Sequence, residues 1–564
     1  TPMKSNIKAR YILLLGLVSG VSLAETSTMQ SQPVSVKTLS TTYIGKVSDK
    51  QPMVEEYLGI PFAIPPVGER RWRAPAPIIN MPAQYDSQQF KPACYQLDYN
   101  TDWYKQVAEL FGTKNLAMDM PPVSEDCLYL NIWKPSPQQK IEQTIQPTMQ
   151  PTMQPTMQQK KSLPVMVWIH GGSNKAGWSF EPNYLGQELA NTGNVIVVSI
   201  AYRLGVFGFF AHPEFDSPVA KTNFGIFDQI AALQWVQKNI NFFGGNKNNV
   251  TVFGESAGAA NIAYLMSTPK AQGLFHQAIS QSGGFQMLAD STLEQAQALG
   301  RKLTEHFDID NKNANQLRQL PADKVWKATK QVAPDHDFRA VQDQQLFKQS
   351  LPQAFAKNAN VNLLIGSNKN EYYMYISDAI DKPELVFVPT DESASNAMRK
   401  HFLSFTEPRL GQDWLDTFLY MACPSALMAQ LVTNNDRQAW LYRFERTREN
   451  GDMIKAYHGA EIPYVFDTHD AFLPTNDVDQ TLTKNMMSAW INFAHFGNPN
   501  GSASAFTEGI TTMQPTMQLT MQPQINWRPY SQENPALLIF DKTVKHSQFE
   551  QQALCQQLWP DYLK

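Results

Sequence analysis

Gly254-Glu255-Ser256-Ala257-Gly258 place a hydroxyl at a point where the chain changes character. Val250, Val252 and Phe253 before it read as a buried strand, and Ala257 to Leu265 after it read as a helix. A chain turning this sharply leaves no room for side chains two places before and after the serine, so both places are glycine. Ser256 then projects at the head of a helix, where free N–H groups and the positive end of the helix dipole face a developing anion. That makes it a candidate nucleophile for acyl transfer; the plain alternative is an ordinary β–α turn. A serine hydroxyl attacks only when a histidine takes its proton, a buried carboxylate holds that histidine, and donors receive the oxyanion.

The segment "WIHGGSNKAG" (168–177) answers the last need. An apolar run leads into His170-Gly171-Gly172-Ser173, small residues whose backbone N–H groups are left exposed in a turn. Two elements in this order weaken the reading of either as a plain glycine-rich turn.

These residues need a rigid frame. "LPVMVWIH" (163–170) and "NVIVVSIAY" (194–202) are continuous apolar runs, as expected of strands covered on both faces. "FDQIAALQWVQKNI" (227–240) places Ile230, Leu233, Val236 and Ile240 at helical spacing and is closed by glycines. Further strand-like runs fall at 276–283, 361–366 and 439–444. Strands alternating with helices predict one large, mostly parallel sheet with helices on both faces, whose ligands bind beyond the carboxyl ends of the strands.

The 564 residues, 43% hydrophobic and 17% charged, suit a globular protein with a large core. A formal net charge of −4 offers no basic face for nucleic acid. No C-x-x-C, H-E-x-x-H, P-loop or G-x-G-x-x-G string occurs, so neither a metal nor a nucleotide cofactor is expected. Lys4, Lys8 and Arg10 precede the apolar "YILLLGLVSGVSLA", and Ser22-Leu23-Ala24 ends it with small residues. Residues 1–24 therefore read as a secretory signal peptide, with an exported product (periplasmic or extracellular) and no stable membrane anchor. Four cysteines suit an oxidising compartment and allow three pairings. Thr-Met-Gln-Pro repeats at 144–159 and 512–524 carry proline too often for a helix and read as surface-loop insertions in one domain spanning 25–564. Nothing in the sequence sets an oligomeric state.

Over nearly all of the mature chain the sequence resembles the type-B carboxylesterase (cholinesterase-like) family of α/β-hydrolases. The segments that carry the resemblance include "YLGIPFAIPP" (57–66), "SEDCLYLNIW" (124–133), "WIHGG" (168–172), "YRLGVFGF" (202–209), "VTVFGESAGA" (250–259) and "FAHFGNPN" (493–500). The resemblance implies an α/β-hydrolase fold and a triad in the order Ser, acid, His. The family's acid matches Glu371 in "GSNKNEYYMY" (366–375), and its histidine matches His458 in "HGAEIPYVF" (458–466). His495 falls where the family histidine is not catalytic, and His170 is expected to shape the oxyanion turn. The implied oxyanion donors are the N–H groups of Gly172, Ser173 and Ala257. Ser173 stands where many members have a third glycine.

The family's disulfide pattern implies Cys94 with Cys127 and Cys423 with Cys555. Arg71 with Glu125 and Arg203 with Asp228 resemble its internal ion pairs. Glu255 is expected to point away from its own serine, and Ser282 to make at most a secondary hydrogen bond. The reading is a cofactor-free hydrolase of uncharged, short-to-medium acyl esters, with its activity rising through an apparent pKa of about 6 to 7.5 as His458 loses its proton. The alternatives are a catalytically silent binding or adhesion protein of the same fold, and a hydrolase of amides, carbamates or lipids. No advantage is expected for choline esters, because Trp103, the only tryptophan between Cys94 and Cys127, lies nearer Cys94 in the chain.

Overall fold

The computed structural model describes residues 33–97, 99–137, 162–215, 217–284, 291–384, 391–501 and 525–560. The expected signal peptide (1–24) and the insertions 144–159 and 512–524 lie outside the described residues. The strands are β1 (Pro33–Lys37), β2 (Thr42–Val47), β3 (Val54–Pro61), β4 (Gln84–Asp86), β5 (Ala93–Cys94), β6 (Val123–Ser124) and β7 (Tyr129–Pro135). They continue with β8 (Leu163–Ile169), β9 (Ile196–Ile200), β10 (Gly245–Glu255), β11 (Gln277–Gln281), β12 (Asn362–Asn368), β13 (Ala439–Phe444), β14 (Ala536–Phe540) and β15 (Val544–Gln548).

Thirteen of them form one sheet in the order β1-β2-β3-β7-β9-β8-β10-β11-β12-β13-β14-β15, with β4 beside β2. From β9 to β14 every pairing is parallel, while β1, β2, β3 and β7 on one side and β15 on the other are antiparallel. β8 shows why its sequence is apolar throughout. Val165, Val167 and Ile169 enter one hydrophobic core, while Met166 and Trp168 enter another across the sheet.

Helices cover both faces. Those that bear on the site are α1 (Tyr99–Leu110), α2 (Phe224–Asn239), α3 (Ala257–Ser267), α4 (Pro408–Thr417), α5 (Cys423–Asn434), α6 (Asp477–Phe496) and α7 (Gln552–Leu558). The helical stretch Pro408–Asn434 is long and apolar enough to cross a membrane by composition, but 83% of its apolar window is buried inside the fold.

Two disulfides, Cys94–Cys127 and Cys423–Cys555, close the loop holding α1 and tie α5 to α7. Two buried ion pairs fix loops against this frame. Arg71 donates to both oxygens of Glu125 at 2.6 Å, and Arg203 holds Asp228 through Nε and a terminal nitrogen, each at 2.8 Å. Paired, bidentate guanidinium–carboxylate contacts of this kind are needed to bury charge at all.

β8 lies between β9 and β10, so the chain after β8 runs to one side and returns to the other. The carboxyl ends of β8 and β10 therefore diverge at a topological switch point, where α/β sheets place their ligands.

Candidate active site

Ser256 follows β10 at φ 55° and ψ −126°, a backbone conformation costly for any residue with a side chain. Its N–H donates to the Gln281 carbonyl of β11 at 2.9 Å, and its own carbonyl accepts from Ala260 at 2.9 Å as α3 begins. The flanking glycines are required by the neighbouring strand. A Cβ on Gly254 would stand 2.6 Å from the Ile169 carbonyl oxygen, and one on Gly258 would overlap that same oxygen. The collision is with the end of β8 more than within the elbow.

Beyond Ile169 the chain forms the second part of the site. Gly172, Ser173 and Asn174 have φ of +100°, +56° and +55° in succession, and a Cβ on Gly172 would overlap the Ala176 carbonyl. Three consecutive residues at positive φ, two of them with side chains, mark a turn held in a backbone conformation that L residues rarely adopt. Ser173 is exposed and Ala257 buried. His170 lies under this turn. It is buried, stacks on Tyr202 with centroids 4.5 Å apart, and has Nδ1 2.8 Å from the Gly171 carbonyl. Burial pulls its pKa down to about 4, so it stays neutral and holds the turn's shape.

Glu371 and His458 arrive on loops beyond β12 and β13. His458 Nδ1–H donates to Glu371 Oε2 at 2.6 Å. The other carboxylate oxygen, Oε1, accepts from the Ser282 hydroxyl and from the Asn368 N–H, both at 2.6 Å. The Glu371 N–H donates to Thr417 Oγ1 at 3.2 Å, where α4 ends. Glu371 is 1% exposed, so these donors supply the solvation it lost. Ser282 makes the secondary hydrogen bond that the sequence allows, to the carboxylate that holds His458.

Glu255, expected only to point away from its own serine, bears on the histidine: its Oε1 lies 3.3 Å from His458 Nε2, and it is buried with no other partner for that oxygen among the described residues. No hydrogen bond joins Ser256 Oγ to His458 Nε2 among the described residues; Nε2 faces Glu255 instead. Burial pulls the imidazole toward neutrality, but Glu255 first and Glu371 second outweigh it and hold His458 above the usual imidazole range. Burial holds the Glu255 carboxyl above the usual carboxylate range.

Ser256, Ala257, Ser173, Glu371 and His458 line a common cavity of ≈ 630 Å³, whose lining does not include Gly172. Asn174, Lys175, the 334–339 loop, Tyr372, Tyr375 and Met421 complete the lining. Met421 is delivered by the π-helical turn Phe418–Ala422 between α4 and α5. The sequence carries no signal for the 334–339 wall, a loop with neither motif nor periodicity. Trp103, on α1, is close to the site despite its place in the chain. Its ring comes within 3.4 Å of a Cβ built on Gly459, next to His458, and its Nε1–H donates to Tyr375 Oη at 3.0 Å. Among the described residues no cluster of three His, Cys, Asp or Glu could hold a metal ion.

Comparison with known proteins agrees with this architecture. The model of the carboxylesterase family matches residues 33–558. The chain is 31% identical to the para-nitrobenzyl esterase of Bacillus subtilis over 543 residues, covering 92% of this chain and 98% of that one. It is 31% identical to the acetylcholinesterase of Bungarus fasciatus (83% and 80% covered) and 32% identical to the fumonisin B1 esterase of Sphingopyxis macrogoltabida (81% and 82% covered). A solved structure of a PNB esterase superposes with a TM-score of 0.74 at 29% identity, covering 93% of this chain and 99% of the other. The chain belongs to the carboxylesterase family. It is an α/β-hydrolase and a serine carboxylic-ester hydrolase.

Proposed function

We propose that Ser256 is the nucleophile, His458 the general base and acid, and Glu371 the carboxylate that orients His458. The N–H groups of Gly172, Ser173 and Ala257 receive the oxyanion. The observation that carries this reading is the 2.6 Å bond from His458 Nδ1 to Glu371 Oε2, made at the wall of the cavity that Ser256 also lines. In the first step Nε2 exchanges Glu255 Oε1 for the Ser256 hydroxyl and takes its proton as Oγ attacks the ester carbonyl. The tetrahedral intermediate collapses as His458 returns the proton to the leaving alcohol. Water then attacks the acyl-serine by the same route, and the acid leaves.

Uncharged, short-to-medium acyl esters are the proposed substrates. The ≈ 630 Å³ cavity is of the size that encloses a small organic ligand. Its wall carries charges of both signs, Lys175 and Arg339 against Asp335 and Asp337, with Arg339 and Asp337 paired. A wall without a single sign gives a charged substrate little steering. The names of the relatives, para-nitrobenzyl, fumonisin B1 and cocaine esterases among them, describe esters of diverse alcohols. We also infer a single catalytic domain over 25–564, exported after loss of 1–24; two disulfides favour an oxidising compartment.

The test is Ser256→Ala, which keeps the Cβ and hence the fold, together with labelling by an organophosphate. Loss of ester hydrolysis and labelling at Ser256 are expected. Labelling at another residue, or full activity in the variant, overturns the assignment.

A further inference from the structure

Asn174 is the third left-handed residue of the oxyanion turn, and the first there whose side chain is wholly inside the protein at 2% exposure. Its carboxamide is used at both ends. Nδ2 donates to the Phe338 carbonyl at 2.8 Å, and Oδ1 accepts from Nδ2 of Asn261 at 2.9 Å. Its backbone carbonyl accepts from the Gly205 N–H at 2.6 Å. Asn261 is fully buried in α3, the helix that starts at the nucleophile, and Phe338 belongs to the 334–339 loop of the cavity wall. One side chain thus joins the oxyanion turn, the nucleophile's helix and the opposing wall.

We infer that Asn174 is a positioning residue: its carboxamide fixes the aim of the Gly172 and Ser173 N–H groups at the oxyanion by bridging Asn261 of α3 and the Phe338 carbonyl. This rests on Ser256 being the nucleophile and on Gly172 and Ser173 being oxyanion donors. The residue type suits the task. Asparagine tolerates positive φ better than other side chains, and it alone combines that with a donor and an acceptor at the length needed here. Besides the Gly205 bond, the stems of the turn are held by the Tyr202 hydroxyl, which donates to the His170 carbonyl at 2.8 Å, and by Gln96, whose Oε1 accepts from the Gly177 N–H at 2.8 Å. The turn's internal bonds are those from the Lys175 and Ala176 N–H groups to the Gly172 carbonyl at 3.0 and 2.9 Å, which close the turn but do not tie it to α3. An oxyanion donor acts through its position, and a displacement on the order of 1 Å costs about 100-fold in rate.

The experiment uses the full chain and compares Asn174→Gly with Asn261→Ala. Glycine accepts φ +55° without strain, so it removes the carboxamide and leaves the turn permitted. Alanine at Asn261 favours its helix and removes the donor to Asn174, together with a contact to the Tyr202 hydroxyl that Asn174→Gly leaves in place. Both variants should lower kcat by about 10- to 100-fold with KM within about threefold. Affinity for a trifluoromethyl ketone, which forms the tetrahedral oxyanion at the serine, should fall by the same factor, whereas inhibition by the alcohol product should not change. The two substitutions should also be non-additive, because they cut one bridge. The inference is overturned if kcat is unchanged, or if it falls while trifluoromethyl ketone affinity is retained. A loss that tracks melting temperature and vanishes on cooling also overturns it, by making the role one of stability. Failure of the underlying assignment is separate: Ser256→Ala would then retain activity, whatever the Asn174 variants do.

Discussion

Glu255 Oε1 and His458 Nε2 stand 3.3 Å apart, so a buried carboxylate faces the nitrogen that the proposed mechanism assigns to take the serine's proton. It lies on the opposite side of the imidazole from Glu371, which holds Nδ1 at 2.6 Å. The histidine is therefore clasped by two carboxylates, one that orients it and one that resists its deprotonation. An imidazolium between two anions is stabilised, and its proton is lost at higher pH than from a free imidazole.

That pairing predicts a pH effect of definite sign. His458 must be neutral to act, so the acidic limb of kcat/KM should lie above the ordinary imidazole value, because Glu255 and Glu371 raise its pKa against burial. Glu255→Gln removes one of the two anions and keeps the shape. The limb should then move to lower pH by about one unit or more. Profiles of kcat/KM over about pH 5 to 10 check this. An unmoved limb would mean that Glu255 is uncharged in the working enzyme.

The clamp on Glu371 predicts a graded pair of losses. Glu371→Gln removes the charge that stabilises imidazolium and should lower kcat by about 10⁴-fold. Ser282→Ala removes one 2.6 Å donor to that carboxylate and leaves the Asn368 N–H in place. A hydrogen bond to a charged group is worth about 1.5–3 kcal/mol, only part of which reaches the transition state, so about tenfold is expected. Single-turnover kinetics of both variants on one p-nitrophenyl ester measure the ratio. If Glu371→Gln is nearly silent, another carboxylate holds His458.

What the sequence reveals follows from where each element lies. The runs 163–170 and 439–444 are legible because strands buried on both faces have no polar positions to blur them, and they appear as β8 (Leu163–Ile169) and β13 (Ala439–Phe444). β1 and β15 are mostly exposed edge strands without an apolar stripe, and their short mixed sequences give no period to read. The elbow is legible because its two glycines flank the serine in one short string, although the atom that demands them, the Ile169 carbonyl oxygen, belongs to β8. The direction of Glu255 is not, since it depends on a loop some 200 residues further along, placed by the whole sheet. The role of Asn174 is hidden for the same reason. Its partners Asn261 and Phe338 are distant in sequence and neither belongs to a motif.

The Cys94–Cys127 bridge predicts a coupling between redox state and the site. It closes the loop that carries α1, and α1 places Trp103 against Gly459, beside His458. By loop entropy such a bridge contributes about 4 kcal/mol. Cys94→Ser with Cys127→Ser should lower the melting temperature and raise KM, with a smaller effect on kcat because Ser256, His458 and Glu371 lie outside the loop. Removing Cys423–Cys555, which ties α5 to α7, should lower the melting temperature while leaving KM nearly unchanged. Differential scanning fluorimetry and steady-state kinetics on both double variants test the contrast. Equal KM changes would show that the first bridge has no special link to the cavity.

Selectivity for the alcohol group is decided between two features near His458. The Trp103 indole and the Glu255 carboxylate both stand near the place a Cβ on Gly459 would take, at 3.4 and 3.6 Å, and an aromatic face beside an anion attracts a quaternary ammonium. Against this, Glu255 is already engaged by His458 Nε2 at 3.3 Å, and the Trp103 N–H edge is engaged by Tyr375. Away from His458 the cavity wall sets Lys175 and Arg339 against Asp335 and Asp337, a mixture of signs rather than an acidic patch. The expected outcome is that acetylcholine and butyrylcholine are hydrolysed no faster than their neutral 3,3-dimethylbutyl isosteres. The measurement is the ratio of kcat/KM for each pair, which cancels shape and leaves charge. A ratio of about ten or more, equivalent to about 1.4 kcal/mol, would establish a cation seat. Trp103→Ala would then have to abolish that ratio while sparing the neutral ester, since only the cation needs the indole face.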